Sequence, residues 1–123
     1  MYTDLLTRMK NAQAVGKGYL RVPYSRMDRS VANVLEKIGF LKKVETKGRV
    51  PKKILKLYLN SKKPIRGVKF LSKPSLKRYN GYRELRAVKG GFGTLVISTP
   101  KGILTGTKAR KEKVGGQVLF EIW

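Results

Sequence analysis

The 123-residue chain contains neither cysteine nor histidine. Their absence excludes disulfides, thiol nucleophiles, thiolate or imidazole metal sites and histidine-based acid–base catalysis. Acidic residues are also few, and all seven are scattered singly along the chain. Paired-carboxylate hydrolases and two-metal nucleases need several carboxylates that converge. We therefore expect no enzymatic activity, no cofactor and no small-molecule substrate.

Long apolar runs are also missing. No segment approaches the roughly 20 apolar residues that a membrane-spanning helix needs. The N-terminal residues 1–11 lack the apolar stretch of a secretory signal, and Leu5, Leu6 and Met9 are interpreted as the start of the fold. The sequence therefore predicts a cytoplasmic protein with no membrane partner.

The dominant feature of the sequence is positive charge. Lysine and arginine number 29, so the formal net charge is +22, while 41% of the residues are apolar and can form a modest core. The excess of basic over acidic residues is evenly distributed along the chain. Residues 1–61 carry 14 basic and 4 acidic side chains, and residues 62–123 carry 15 basic and 3 acidic side chains. Such a surplus favours a polyanionic partner, and nucleic acid suits it better than an anionic membrane surface.

Residues 1–61 are predicted to form an N-terminal domain with the element order α-β-α-β-β. Thr3 is a candidate cap of the first helix, whose apolar stripe would be Leu5, Leu6, Met9 and Ala12. Ser25 followed by Asp28 resembles a capping box at the start of the second helix. Gly39 is placed where that helix should end. The polar stretch Asn60–Pro64 then predicts a linker.

Residues 62–123 are predicted to form a second domain, mostly β with one short helix, which makes the chain an α+β protein. Thr94–Ser98 has the composition of a buried strand. The helix is expected over about Gly106–Val114, with Thr105 as its cap and Gly115 as its stop. The last strand, Gln117–Trp123, is expected to place Val118, Phe120 and Ile122 on one face and to alternate them with Leu119, Glu121 and Trp123 on the other.

The segment from Ser98 to Gln117 is the first candidate for RNA contact. Small hydroxyl and glycine residues allow close backbone approach and hydrogen bonds to bases and 2′-hydroxyls. The helix within it carries Lys108 and Arg110 but too few apolar residues to be buried on one side. The alternative is an ordinary strand–loop–helix connection with a solvated helix.

A second candidate mixes basic and aromatic residues, namely Lys73, Lys77, Arg78, Tyr79, Tyr82 and Arg83. Tyrosine rings can stack on unpaired bases while lysine and arginine hold phosphates. The alternative for either tyrosine is simple packing in a half-buried strand.

Along nearly its whole length the sequence resembles the bacterial small-subunit ribosomal protein S8 family. The N-terminal matches are Asp4–Ala12 and Val22–Phe40. The stronger C-terminal matches are Leu71–Tyr79, Ser98-Thr99, Lys101-Gly102, Thr105, Ala109-Arg110, Gly115-Gly116 and Trp123. The resemblance implies two small α/β domains.

The resemblance also implies a primary 16S rRNA-binding protein that docks on an irregular central-domain helix, beside neighbouring small-subunit proteins, and assists assembly of the platform. The sequence does not separate a bacterial source from a plastid one, so a plastid ribosome stays open as an alternative. It places RNA recognition at Ser98, Thr99, Lys101, Gly102, Thr105, Gly115, Gly116 and Gln117, supported by Lys77 and Tyr79. It also implies that the N-terminal domain contacts the RNA backbone through Thr7, Arg8 and Asn11.

This chain departs from the family pattern at two positions. Pro100 replaces a usual serine, which removes a hydroxyl and a backbone donor. Gln117 replaces a usual glutamate, so a neutral acceptor stands in place of a charge-assisted one.

Two other functions stay open at this point. One is regulation through an mRNA element that mimics the rRNA site, and the other is polyanion or membrane binding without sequence preference.

Overall fold

The computed structural model describes residues 2–49, 52–72, 78–81 and 93–123. The chain folds into two compact units, Met1–Ile65 (unit 1) and Arg66–Trp123 (unit 2). Helices and antiparallel sheets occur together, which confirms the predicted α+β class. The basic residues Lys73, Lys77 and Arg83 and the ring of Tyr82 lie outside the described residues.

Unit 1 has the predicted order of two helices and three strands. Its elements are α1 (Tyr2–Ala14), β1 (Tyr19–Pro23), α2 (Arg26–Ile38), β2 (Leu41–Lys47) and β3 (Ile54–Leu59). The strands form one antiparallel sheet in the order β1-β3-β2. One face of this sheet is buried beneath the helices, through Leu20, Val22, Leu55 and Leu57.

The ends of the two helices are set by different means. Ser25 caps α2 as predicted, because its hydroxyl accepts a hydrogen bond from the Asp28 N–H at 3.0 Å. Gly39 ends the same helix at φ 99°, a left-handed conformation that favours glycine. The predicted Thr3 cap is wrong, since α1 begins at Tyr2 and Thr3 lies in its first turn. The Thr3 carbonyl instead accepts a hydrogen bond from the Thr7 hydroxyl.

Unit 2 consists mainly of strands, with one short helix. Its elements are β4 (Val68–Phe70), β5 (Arg78–Asn80), β6 (Thr94–Thr99), β7 (Gly102–Thr105), α3 (Gly106–Lys111) and β8 (Gly116–Ile122). The sheet has the order β4-β8-β6-β7, and β5 also pairs with β8. All of these pairings are antiparallel.

Helix α3 covers one face of the unit 2 sheet. Ala109 is completely buried in a cluster with Leu95, Ile97 and Val118. Leu95 and Ile97 alternate along β6 with Val96 and Ser98, so the latter pair lies on the opposite face.

The expected simple alternation along β8 is wrong at one point. The pairing with β6 shifts register between Val96 and Ile97, which leaves Leu119 as an extra residue on β8. Val118, Leu119 and Phe120 are consequently all buried. The Leu119 carbonyl also accepts the backbone N–H of Leu71 at 3.0 Å.

The predicted end of α3 is also wrong. The helix stops at Lys111, and the left-handed residue that follows it is Lys113, at φ 57°. The Val114 and Lys113 N–H groups bond back to the carbonyls of Ala109 and Arg110, the pattern of a Schellman motif. Gly115 therefore serves a purpose other than ending the helix. Among the described residues, no helix is both long and apolar enough to cross a membrane.

Candidate nucleic-acid interface

Three predicted contact residues from distant parts of the sequence lie side by side on one face of the unit 2 sheet. Ser98 on β6 pairs with Gln117 on β8, and Gln117 pairs with Tyr79 on β5. Directly paired residues on antiparallel strands project to the same face, with Cβ atoms about 4.5–5.5 Å apart. We call Ser98, Gln117 and Tyr79 the recognition row.

The recognition row is accessible. Ser98 and Gln117 are half-buried, and the Tyr79 side chain is 67% exposed. Exposure of this degree excludes simple core packing as the role of the Tyr79 ring. The row thus combines a hydroxyl, a neutral amide and an exposed aromatic face.

The β6–β7 turn closes the same end of the sheet. Its Thr99 side chain is mostly buried, and its hydroxyl donates to the Gly102 carbonyl at 2.8 Å. The same oxygen accepts from the Lys101 N–H at 3.2 Å. Thr99 therefore shapes the turn, while Pro100 and Lys101 lie exposed at its tip.

Pro100 is compatible with this turn. Proline is favoured at the second position of a β-turn because its fixed φ suits that site, and glycine is favoured at the fourth. Thr99↔Gly102 is the last pair of the β6–β7 ladder, which places Pro100 and Gly102 at those two positions. Gly102 has φ 113°, which a side chain would strain although the surrounding space is open. The departure at Pro100 thus leaves the hairpin intact.

The paired glycines allow strands of the protein itself to approach closely. A Cβ on Gly115 would lie 2.5 Å from the Asn80 carbonyl oxygen. A Cβ on Gly116 would overlap the Ser98 carbonyl oxygen and lie 2.9 Å from the Ser98 carbonyl carbon. Both residues therefore hold β8 against its neighbours beside the recognition row.

The basic residues of α3 lie on the other face of the sheet. Lys108 and Arg110 are exposed on the solvent side of the helix, whose Ala109 is buried against the sheet. Thr105 begins this helix, and its hydroxyl accepts from the Lys108 N–H at 3.2 Å. The structure therefore does not place Lys108 or Arg110 in the recognition row, and it commits the Thr105 hydroxyl to capping.

The predicted N-terminal contact residues lie together on the exposed side of α1 in unit 1. Thr7, Arg8 and Asn11 are all exposed. Arg8 forms an ion pair with Asp4 at 3.0 Å, four residues earlier on the same helix. Arg8 and Asn11 also line a groove whose other side is β1. An exposed pair of this kind leaves Arg8 able to exchange Asp4 for a phosphate.

One positioning residue was missed by the sequence analysis. Ser72 is buried, and its hydroxyl donates to the Val118 carbonyl and accepts from the Arg78 N–H at 3.0 Å. It therefore fixes β5, and with it Tyr79, against β8. The sequence carried only a weak signal for this role, namely that Ser72 begins a short proline-containing segment that interrupts the strand pattern. The other predicted residues of this region, Lys73 and Lys77, lie outside the described residues.

Comparison with known proteins gives one consistent family. Residues 1–123 match the family model for ribosomal protein S8. The small ribosomal subunit protein uS8 of Persephonella marina is 41% identical over 98% of this chain and 95% of its own length. That of a Thermoanaerobacter species is 43% identical over 98% and 94%, and that of Borreliella burgdorferi 35% identical over the same shares.

Proposed function

This chain belongs to the ribosomal protein S8 family, and from that premise we propose that it is a structural, non-catalytic constituent of the small ribosomal subunit. The relatives are themselves named as proteins of that subunit. A net charge of +22 on 123 residues suits a partner that supplies many phosphates. The proposed partner is 16S rRNA, with neighbouring small-subunit proteins around it.

The proposed RNA target is an irregular helix with an internal loop in the central domain of the 16S rRNA. Protein side chains read RNA sequence mainly where bases are unstacked, by stacking and by hydrogen bonds to exposed base edges. The recognition row offers these two kinds of contact at adjacent positions. This register of Ser98, Gln117 and Tyr79 on three strands is the observation that carries the proposal.

Discrimination and affinity are assigned to different surfaces. The recognition row, with Lys101 and the turn beside it, contacts bases and 2′-hydroxyls and tells one RNA from another. Lys108 and Arg110 on α3, and Arg8 and Asn11 on α1, contact the phosphate backbone. Phosphate contacts raise affinity for any RNA and weaken as salt is added.

Gln117 gives the recognition row a neutral acceptor. A carboxylate at this position would repel nearby phosphates, whereas the amide carbonyl accepts a hydrogen bond and the amide nitrogen donates one. The Gln117→Glu variant therefore distinguishes a contact to a base donor from a contact beside phosphate. Tighter hairpin binding would indicate a base donor, and weaker binding a phosphate neighbour.

A salt titration with two RNA hairpins tests the proposed function. One hairpin carries the internal loop of the central-domain helix, and the other is fully paired and of equal length. We expect the looped hairpin to keep an advantage of at least about tenfold at high salt, equal to roughly 1.4 kcal/mol. Equal affinities that fall together with salt would show a charge-driven binder and contradict the proposal.

Two finer roles follow from the same surface. A protein that holds an irregular central-domain helix would assist assembly of the platform, and it would also bind an mRNA segment that copies the shape of the loop. A competition experiment tests the second role. An mRNA mimic should displace the looped hairpin one for one, whereas simultaneous binding would separate the two sites.

A further inference from the structure

The outward face of the unit 1 sheet carries tyrosine rings among basic side chains. Tyr19 on β1 pairs with Tyr58 on β3, and their ring centroids are 6.3 Å apart. Lys56 lies two residues before Tyr58 on the same face. Its Nζ is 4.5 Å from the centroid of the Tyr19 ring and 5.1 Å from that of Tyr58. We call this surface the tyrosine–lysine face.

The charge of the tyrosine–lysine face is strongly positive. The cationic side chains on it are Arg21, Lys43, Lys47 and Lys56. Glu45 is the carboxylate among them, and it lies 3.6 Å from the Lys43 Nζ and 3.8 Å from the Lys47 Nζ. A hydrogen bond from the Tyr58 hydroxyl, together with these lysines, lowers the pKa of Glu45, so the carboxylate is ionised at neutral pH. With four cations against one carboxylate, the face keeps an excess of positive charge.

The Tyr19 ring is well placed to accept a further stacking partner. Its residue is 47% exposed although Lys56 lies over the ring. Tyr19 and Arg21 also line the groove that Arg8 and Asn11 border from α1. Within unit 1, the tyrosine–lysine face is therefore continuous with the α1 residues that are predicted to contact the RNA backbone.

We propose that the tyrosine–lysine face is a second RNA-binding surface, one that takes a single-stranded segment rather than a duplex. Sheet surfaces with exposed aromatic rings stack unpaired bases, and flanking lysines and arginines follow the phosphates. Paired bases in a duplex cannot reach a ring on a flat sheet. The proposal rests on the proposed function only in taking RNA as the partner, since it assigns no base sequence.

Fluorescence anisotropy of the full chain with a labelled eight-nucleotide oligouridylate tests the inference. The ring makes the contact, so Tyr19→Val should weaken binding at least about fivefold and Tyr19→Phe should bind like the native chain. Phe70→Val is the matched control, because Phe70 is an exposed aromatic residue on β4 of the other sheet and should leave oligouridylate binding unchanged. A Tyr19→Val variant that binds normally would overturn the proposal, as would a control that weakens binding equally.

The salt dependence provides a second readout. Lys56→Gln should reduce the slope of log affinity against log salt by about 0.7, the value for one phosphate contact on a single strand. An unchanged slope would overturn the role of Lys56. Polyglutamate of equal charge that binds as tightly as the oligonucleotide would also overturn the proposal, since the face would then be a general anion surface.

A competition experiment separates this inference from the proposed function. One equivalent of the looped hairpin should leave the oligouridylate bound, because the hairpin contacts proposed in unit 1 are Arg8 and Asn11 and do not include the rings of the tyrosine–lysine face. Displacement at one equivalent would place the oligonucleotide in the hairpin site and overturn the inference. A hairpin that shows no looped preference while Tyr19→Val still weakens oligouridylate binding would support the inference and contradict the proposed function.

Discussion

The two sheets of this protein each present tyrosine to solvent, yet in opposite chemical settings. In unit 1, Tyr19 and Tyr58 lie among cationic side chains. In unit 2, Tyr79 lies beside a serine and a glutamine on strands that two glycines allow to approach closely. Contacts to phosphates and stacking on bases tolerate any nucleic-acid sequence. Neutral hydrogen-bonding groups in fixed positions instead distinguish one ligand from another. Under the proposed function, this contrast would let one small basic protein separate affinity for any RNA from discrimination between RNAs.

The largest expected effect comes from filling the close approach at Gly116. In Gly116→Ala the new Cβ would overlap the Ser98 carbonyl, so β6 and β8 must separate. We expect the free energy of unfolding to fall by about 3 kcal/mol, with loss of the looped-hairpin preference. Urea denaturation and hairpin binding measure both. Gly18→Ala is the control, since a Cβ added at Gly18 would have no other atom within 4 Å. Equal effects at both positions would contradict the assigned role of Gly116.

A smaller effect is expected from the serine that positions Tyr79. Ser72→Ala removes a buried hydroxyl that donates to the Val118 carbonyl and accepts from the Arg78 N–H, so two backbone groups lose a partner. We expect a loss of about 2 kcal/mol in unfolding free energy and weaker binding of the looped hairpin. The exposed Ser61→Ala should change neither quantity. A Ser72→Ala protein with native discrimination would show that β5 needs no such anchor.

A substitution at the end of α3 should stabilise unit 2 without changing any residue of the recognition row. Lys113 has a left-handed backbone, which costs a non-glycine residue about 1 kcal/mol or more. Lys113→Gly should therefore raise the free energy of unfolding by roughly that amount. Lys111→Gly, within the last turn of α3, should lower it by about 0.5–1 kcal/mol. Opposite signs in thermal denaturation are the expected result, and equal signs would contradict the capping assignment.

The smallest predicted effect concerns the charge of the tyrosine–lysine face. The pKa of Glu45 is lowered chiefly by the Tyr58 hydroxyl, so Tyr58→Phe should move it back toward its ordinary value. A lowered folded-state pKa stabilises the protein above the ordinary value, and this contribution is lost as pH falls through the lowered one. Carboxyl NMR titration of both proteins measures the shift. Identical Glu45 pKa values would show that the hydroxyl has no such role.

Local features of the fold were predictable from the sequence because neighbouring residues determine them. Ser25 and Gly39 cap α2 through contacts within a few residues, and the apolar stripe of α1 is buried as expected. The end of α3 was not predictable in this way. Glycine is the usual left-handed residue, so the sequence favoured Gly115, whereas the chain places Lys113 there.

Features that depend on strand pairing could not be obtained from the sequence. The extra residue Leu119 breaks the alternation of β8 because the pairing with β6 skips it. On the other edge of β8, β4 pairs with the residues after Leu119 and β5 with the residues before it. Ser98, Gln117 and Tyr79 were predicted as candidates individually, but their shared row follows only from the order of β6, β8 and β5. The same topology separates Lys108 from that row, although Lys108 is only ten residues from Ser98 in sequence.

The most direct test of this separation compares Ser98→Ala with Lys108→Ala on the looped and fully paired hairpins at two salt concentrations. We expect Ser98→Ala to reduce the ratio of the two affinities about fivefold, the value of one hydrogen bond of about 1 kcal/mol. Lys108→Ala should weaken both hairpins equally and reduce the salt slope by about one. If Lys108→Ala alone removed the preference for the looped hairpin, discrimination would reside on α3 and the assignment to the recognition row would be wrong.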